Sequence, residues 1–303
     1  MKQKKGAIIG IGNVGASTAF TLLQSRLFHE LVLIDQCHER CAGQVMDLQD
    51  AAAFNPTTLI SQGSYADACA ADIVIICAGK PQYPGQSRDE LLAVNAQVIR
   101  EICCELADIS PEATVIIVTN PLDPLTYLAQ KLLPLDKKRI FGTGTWLDTQ
   151  RLRIAVKDHL KLPTLPNDLF MLGEHGDSAC AHIPEHYNLS ARTIQILQNE
   201  AIQRAYTIID LKCATYYGIA VCIKDICKAL IHDEKKTIPL SIYNTEFNIC
   251  MSSPVIIGKE GIERSIQLPL SANETDLLKR SAQTINACLA YLIDTDFIKT
   301  LHN

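Results

Sequence analysis

Apolar positions along the chain follow two rhythms. Short, nearly unbroken apolar runs at residues 5–10, 31–34, 71–77 and 114–118, with a shorter one at 140–141, have the length and make-up of buried strands. Between them, residues 16–27 and 93–106 carry apolar residues at helical spacing, and a further helical run starts at Pro121 to Asp123. This alternation predicts a parallel sheet with helices on both faces. Beyond Asp148 the pattern changes to helices mixed with antiparallel strands. Strands are predicted at 237–243, 248–257 and 264–268, with a turn at 258–261 between the last two. A helical run spans 200–231, and an amphipathic helix over 273–292 closes the chain, with Ser271 or Asn273 as its cap.

Composition narrows the class. A chain of 303 residues, 48% hydrophobic and 20% charged, is long enough for one large or two ordinary domains. A formal net charge of -5 gives no reason to expect a nucleic-acid partner. No apolar run reaches the roughly 20 residues of a membrane helix. The basic start could mimic a signal peptide, but glycines interrupt the apolar stretch behind it, so it reads as a first strand and the expected location is cytoplasmic. The twelve cysteines include no Cys-x-x-Cys pair, which points to free buried thiols acting as small hydrophobes rather than to disulfides or a metal site.

The first strand runs into Gly10-Ile11-Gly12-Asn13-Val14-Gly15, and Asp35 ends the second strand twenty positions past the last glycine. Gly10 allows a tight turn, Gly12 lets main chain approach a pyrophosphate, and Gly15 lets the following helix pack close. The helix amino terminus then favours the diphosphate. Asp35 can accept both ribose hydroxyls and would repel a 2′-phosphate, so the expected cofactor is NAD rather than NADP. Gly79, Asn120 and Thr143 also fall at strand carboxyl ends, where such sheets bind ligands.

Two further stretches carry chemistry. Residues 78–88 hold two prolines and two glycines and read as a polar-tipped lid ending at Arg88, a cation at a helix start, where an anion or polarised carbonyl would suit it. Gly173-Glu174-His175-Gly176-Asp177-Ser178 sets one histidine between glycines, while Asp148 and Arg151 lie one helical turn apart. A carboxylate on one ring nitrogen of His175 fixes its tautomer and stabilises the imidazolium. Arg151 can clamp a substrate carboxylate with two parallel hydrogen bonds.

These motifs, with Thr119-Asn120-Pro121-Leu122-Asp123 and Ala214-Thr215-Tyr216-Tyr217-Gly218, resemble the NAD-dependent L-lactate dehydrogenases of the lactate/malate dehydrogenase superfamily. The resemblance is dense to about Ile226 and looser beyond. It implies a Rossmann-type doubly wound parallel sheet over residues 1–143, holding NAD, and a mixed α+β catalytic domain over 144–303. It implies that His175 exchanges the proton with Asp148 as partner, that Arg88 polarises the ketone on loop closure, and that Arg151 binds the substrate carboxylate. Gln82, Asn120 and Thr215 are the further substrate positions. Cofactor positions are Gly10, Gly12, Asn13, Val14, Gly15, Asp35, Arg40, Tyr65, Gly79, Val118, Asn120 and Thr143. The implied partners are a small 2-oxo or 2-hydroxy acid and further copies of the chain, in a homodimer or homotetramer.

Within the superfamily, malate enzymes carry an arginine where this chain has Gln82. A neutral side chain would leave the second carboxylate of oxaloacetate unpaired in a closing site, which favours pyruvate. Help from Lys80, and with it a malate or larger 2-hydroxy acid substrate, stays open, as does a non-enzymatic NAD-binding protein. The chain departs from the family after Ser178, where Ala179 to His186 replaces the usual proline–tryptophan run and the stretch to Lys212 is short. His182 and His186 there read as solvated or structural. Arg153 matches the arginine that binds fructose 1,6-bisphosphate in bacterial members, but Asp168 stands where their histidine would be, so no activation by that sugar is expected.

Overall fold

The computed structural model describes residues 3–54, 57–81 and 88–294, and of Arg88, Ile293 and Asp294 the main chain. The first half runs β1 (Lys5–Ile9), α1 (Asn13–Ser25), β2 (Glu30–Ile34), α2 (His38–Ala52), β3 (Leu59–Gln62), α3 (Tyr65–Cys69), β4 (Ile73–Ile76), α4 (Arg88–Glu105), β5 (Thr114–Ile117), α5 (Leu122–Leu132) and β6 (Ile140–Gly142). The second half runs α6 (Trp146–Leu160), β7 (Phe170–Leu172), β8 (Cys180–His182), α7 (Ala191–Lys212), α8 (Tyr217–Ile231), β9 (Lys236–Asn244), β10 (Ile249–Gly258), β11 (Gly261–Ser265) and α9 (Ala272–Asp294).

Among the described residues the main sheet has the order β11-β10-β9-β6-β5-β4-β1-β2-β3. The six strands β3-β2-β1-β4-β5-β6 are parallel, with β1 paired to both β2 and β4, so the order reverses beside β1. Side-chain alternation splits the core. Ala7, Ile9, Val74, Ile76, Val115 and Ile117 face α4, α5 and α9, while Ile8, Leu31, Leu33, Ile75 and Ile116 face α1, α2 and α8. Both faces are covered, so these strands have no polar face, which is why they read as unbroken apolar runs. The doubly wound parallel sheet expected from the alternation is present.

The sheet does not end with β6. Gly142 pairs with Ser241, and antiparallel β9, β10 and β11 continue it. A third cluster, including Leu152, Val156, Leu169, Met171, Leu197 and Ala201, packs α6 and α7 on the β7–β8 ladder.

Four expectations need correction. The helical run over 200–231 is two helices: α7 ends at Lys212, Cys213 takes a left-handed φ of 67°, and α8 starts at Tyr217. Lys212 secures that end, with its ammonium 3.5 Å from the ring centre of Tyr216 and 4.3 Å from that of Tyr217. Periodicity ran through the break because both helices keep an apolar stripe. The strand expected at 264–268 begins earlier, at Gly261, because the hairpin closes on the Gly258–Gly261 pair and leaves two residues in the turn. β3 was missed; it is short, at the sheet edge, and has only Ile60 buried. The cysteines are free, but Cys104 and Cys213 are exposed rather than buried. Of the two candidate caps on α9, Ser271 closes a reciprocal box with Glu274: its Oγ accepts the Glu274 N–H, and the carboxylate accepts from Ser271.

Candidate active site

The glycine turn leaves β1 beside the reversal point of the sheet, where a crevice forms at strand carboxyl ends. Gly10 has φ +92° and lies so close to the Ala78 main chain that a Cβ would clash, and a Cβ on Gly15 would strike the Gly10 carbonyl. Above Gly12, by contrast, a Cβ would meet nothing within 4 Å. Gly12 also starts α1 without a side-chain cap, so the first N–H groups of the helix remain free for an anion. These residues fit a dinucleotide diphosphate.

Asp35 follows β2 and is held from several sides. Its oxygens accept the Ile11 N–H at 2.7 Å, the Cys37 N–H at 2.9 Å and the Arg40 guanidinium at 2.8 and 2.9 Å. Burial opposes its charge, but these donors outweigh it and keep the carboxyl below its ordinary range. Tyr65 begins α3, Val14 and Asn13 begin α1, and Thr143 follows β6, donating its N–H to Ile117 at 3.0 Å. Val118 follows β5 and donates to Ile76 at 2.9 Å.

The candidate acid–base group comes from two elements of the second half. α6 presents Asp148 and Arg151 on one face, and Arg151 Nη1 donates to Asp148 Oδ1 at 2.8 Å. His175, in the loop after β7, places Nδ1 2.7 Å from Asp148 Oδ2. The Asp148 and Arg151 side chains are 10% and 6% exposed, while the imidazole keeps 26% exposed, which leaves Nε2 the nitrogen able to meet a substrate. α6 is locked to β7 by the Thr149 hydroxyl, which accepts the Met171 N–H at 2.9 Å, and by Thr145, whose hydroxyl donates to the Met171 carbonyl at 2.5 Å. Burial opposes charge on both members of the His175–Asp148 pair, yet their attraction prevails: His175 is raised and Asp148 lowered. Each member therefore favours the charged form of the other.

Other positions named from the sequence are spread around this centre. Asn120 is exposed just past β5, and its carbonyl accepts from Asn95 at 2.7 Å. Thr215 is partly buried in the link between α7 and α8. Arg88 is the first residue of α4, whereas its side chain and Gln82 lie outside the described residues. His182 is buried with Nδ1 2.8 Å from Glu274, a structural role, and His186 is exposed with Nε2 3.1 Å from Asp168.

Sequence reading missed Asn95. It is buried on the apolar face of α4, where its amide accepts the Lys80 N–H at 2.7 Å and donates to the Lys80 and Asn120 carbonyls at 3.1 and 2.7 Å. It ties the base of the lid segment to the loop after β5. The signal was a polar residue in the Leu91, Leu92, Ala96, Ile99 stripe. Ser281 of α9 was missed as well; its Oγ accepts the Glu174 N–H at 2.5 Å and steadies the histidine loop.

Comparison with known proteins agrees with this geometry. Residues 4–142 match the lactate/malate dehydrogenase NAD binding domain, and residues 145–292 match the lactate/malate dehydrogenase alpha/beta C-terminal domain. The chain belongs to the lactate/malate dehydrogenase family. It is 33% identical to L-lactate dehydrogenase 1 of Clostridium acetobutylicum, with 95% of this chain and 98% of that protein aligned. It is 34% identical to an L-lactate dehydrogenase of Streptococcus pneumoniae, covering 95% and 94%. Among solved structures, a minor L-lactate dehydrogenase from Enterococcus mundtii superposes with a TM-score of 0.88 at 32% identity, covering 96% of this chain and 98% of that one. A lactate dehydrogenase from a Medee basin deep-sea metagenome library gives 0.88 at 29%, covering 96% and 99%. As a lactate/malate dehydrogenase the chain is an NAD-dependent oxidoreductase, and the glycine turn and Asp35 sit in its NAD-binding part.

Proposed function

We propose that the chain is an L-lactate dehydrogenase that interconverts pyruvate and L-lactate. The observation that carries the chemistry is the Asp148 carboxylate shared between His175 Nδ1 and Arg151. A nicotinamide cofactor held there would supply the hydride to the substrate C2, or accept it in the reverse direction. Gly10, Gly12, Asn13, Val14, Gly15, Asp35, Arg40, Tyr65, Gly79, Val118, Asn120 and Thr143 are the residues that would hold the cofactor. His175 gives its Nε2 proton to the ketone oxygen as negative charge develops there, and Asp148 stabilises the imidazolium that precedes transfer. Arg151 keeps further N–H donors for the substrate carboxylate, which a planar guanidinium binds in a fork. Arg88 stabilises the developing oxyanion, and Thr215 and Asn120 border the substrate. On this reading residues 1–143 bind NAD and 144–303 supply the proton chemistry, a division supported by where the two family matches meet.

Pyruvate rather than oxaloacetate is supported by the neutral Gln82 and by the names of the relatives. The test is NADH oxidation with pyruvate, oxaloacetate and a branched 2-oxo acid side by side. Pyruvate should give the highest kcat/KM. Preference for oxaloacetate would make the protein a malate dehydrogenase, and NADH binding without turnover of any of the three would leave a non-enzymatic nucleotide-binding protein.

The same reading includes a cytoplasmic location and assembly into a homodimer or homotetramer. Among the described residues no helix is long and apolar enough to cross a membrane. Phe20 on α1, Met46 on α2, and Tyr217 and Val221 on α8 are large exposed apolar side chains that self-association would cover. Sedimentation velocity should show a dimer or tetramer and no monomer.

Fructose 1,6-bisphosphate should leave the pyruvate saturation curve unchanged. Arg153 is turned to the protein, donating to the Asn167 carbonyl at 2.7 Å and lying 5.1 Å from the Trp146 ring centre. Asp168 brings a carboxylate that Tyr187 already holds at 2.6 Å, and a phosphate would be repelled there. A lower half-saturating pyruvate concentration on adding the sugar would overturn this.

A further inference from the structure

Asp123 stands in the first turn of α5 with its residue 1% exposed. A buried carboxylate is costly unless both oxygens are satisfied. Here they are, by donors from two other elements. Oδ2 accepts the main-chain N–H of His175 at 2.7 Å, and Oδ1 accepts the Ser241 hydroxyl of β9 at 2.6 Å. An asparagine would keep the His175 contact through its oxygen and turn its NH2 to the Ser241 hydroxyl, which can accept as well as donate. What the carboxylate adds is a negative charge beside the histidine loop.

We propose that Asp123 is a positioning residue for proton transfer: it fixes the main chain of His175 so that the ring meets Asp148, and its negative charge joins that of Asp148 in holding the imidazolium. This rests on the acid–base reading of His175 given above. The charged and titratable groups facing His175 are Asp148 and Arg151 from α6 and Asp123 from α5. Those facing Asp123 are His175 and Glu174 from the loop and Cys250 from β10. Burial raises the Asp123 carboxyl to about 6, against the pull of the Ser241 and His175 hydrogen bonds. Asp123 is therefore mostly charged at neutral pH, and its hold on His175 weakens as the pH falls through that value.

The test follows the His175 ring by NMR across pH in the parent, Asp123→Asn and Ser241→Ala, alongside the pH profile of pyruvate reduction. In Asp123→Asn the His175 titration should move to lower pH by about one unit. Its kcat should fall about tenfold, part of the roughly 10²–10⁴ that positioned proton transfer contributes, with NADH affinity unchanged. Ser241→Ala keeps the charge but removes a hydrogen bond that lowers Asp123. Its acidic limb should move to higher pH while the alkaline limb stays in place. If Asp123→Asn does not fold, Ser241→Ala decides alone. A His175 titration unmoved in Asp123→Asn, or an acidic limb unmoved in Ser241→Ala, overturns the proposal. The NMR titration needs no substrate, so a parent protein without turnover would sink the dehydrogenase reading and leave this one to be judged on the ring alone.

Discussion

The Asp148→Asn protein is expected to reduce pyruvate about 10²- to 10⁴-fold more slowly than the parent, with NADH binding preserved. Asp148 sits between two cations, Arg151 at 2.8 Å and the His175 ring at 2.7 Å, and accepts from both. An amide of the same shape has one acceptor oxygen. Satisfying Arg151 turns its NH2 toward Nδ1, which holds Nδ1 as an acceptor and opposes the doubly protonated ring that reduction needs. The pH dependence gives a second readout. Reduction needs the imidazolium, and His175 is raised because Asp148 outweighs the burial that opposes charge. Reduction in the parent should therefore persist above the pH at which a free imidazole has lost its proton, and decline as pH rises through the raised value. Lactate oxidation needs the neutral ring and should rise through the same value. Without the carboxylate, burial and Arg151 oppose the charged ring and only Asp123 favours it, so both limbs should move to lower pH.

The sign for stability follows from the same pair. His175, raised in the fold, contributes stability fully present below about pH 6.5 and lost as pH climbs through the folded value. Asp148, lowered in the fold, contributes stability present above its ordinary value of 3.8 and lost as pH falls through its folded value. The pair therefore stabilises most between about pH 4 and 6.5. An Asp148→Asn protein reducing pyruvate at close to the parental rate would remove Asp148 from the chemistry.

What could be read from the chain was what depends on neighbours in sequence. The glycine turn was legible because each glycine answers a local demand, and the central strands because burial on both faces leaves them nothing polar to show. Asp148 and Arg151 share a helix face at a spacing any helix imposes. Features made by distant contacts were not legible. β3 is a polar edge strand that only pairing with β2 defines. The break after α7 uses a left-handed cysteine where a glycine would have announced it. Asn95 and Ser281 look like interruptions of apolar stripes until the loops they hold are brought to them. Asp123 shows its partners only when Ser241, 118 positions away, is folded against it. The sheet itself crosses the boundary suggested at residue 143, because β9 pairs with β6 through a single residue pair that no local pattern signals.

Gln82→Arg should raise kcat/KM for oxaloacetate by about 10²- to 10³-fold and lower it for pyruvate. Gln82 lies outside the described residues, so the expectation rests on charge. Oxaloacetate differs from pyruvate by a second carboxylate. Arg151 can serve one carboxylate, and beyond the lid segment the buried groups around His175 include the acids Asp123 and Asp148, which cannot pair with an anion. On the proposed reading, in which residue 82 borders the substrate, that second carboxylate would meet a neutral amide in the parent. Leaving a charge buried and unpaired costs about 3–5 kcal/mol, and each 1.4 kcal/mol is about tenfold. A guanidinium at position 82 supplies the missing partner through two parallel hydrogen bonds, so the penalty is relieved for oxaloacetate. With pyruvate bound the same guanidinium would face a methyl group and stand unpaired itself, which reverses the preference rather than broadening it. Measuring kcat/KM for both acids in parent and variant isolates this effect. If Lys80, a cation in the same segment, already paired that carboxylate, the parent would turn over oxaloacetate well and the substitution would change little. The size of the change therefore reports whether a neutral residue at position 82 is what excludes the dicarboxylate.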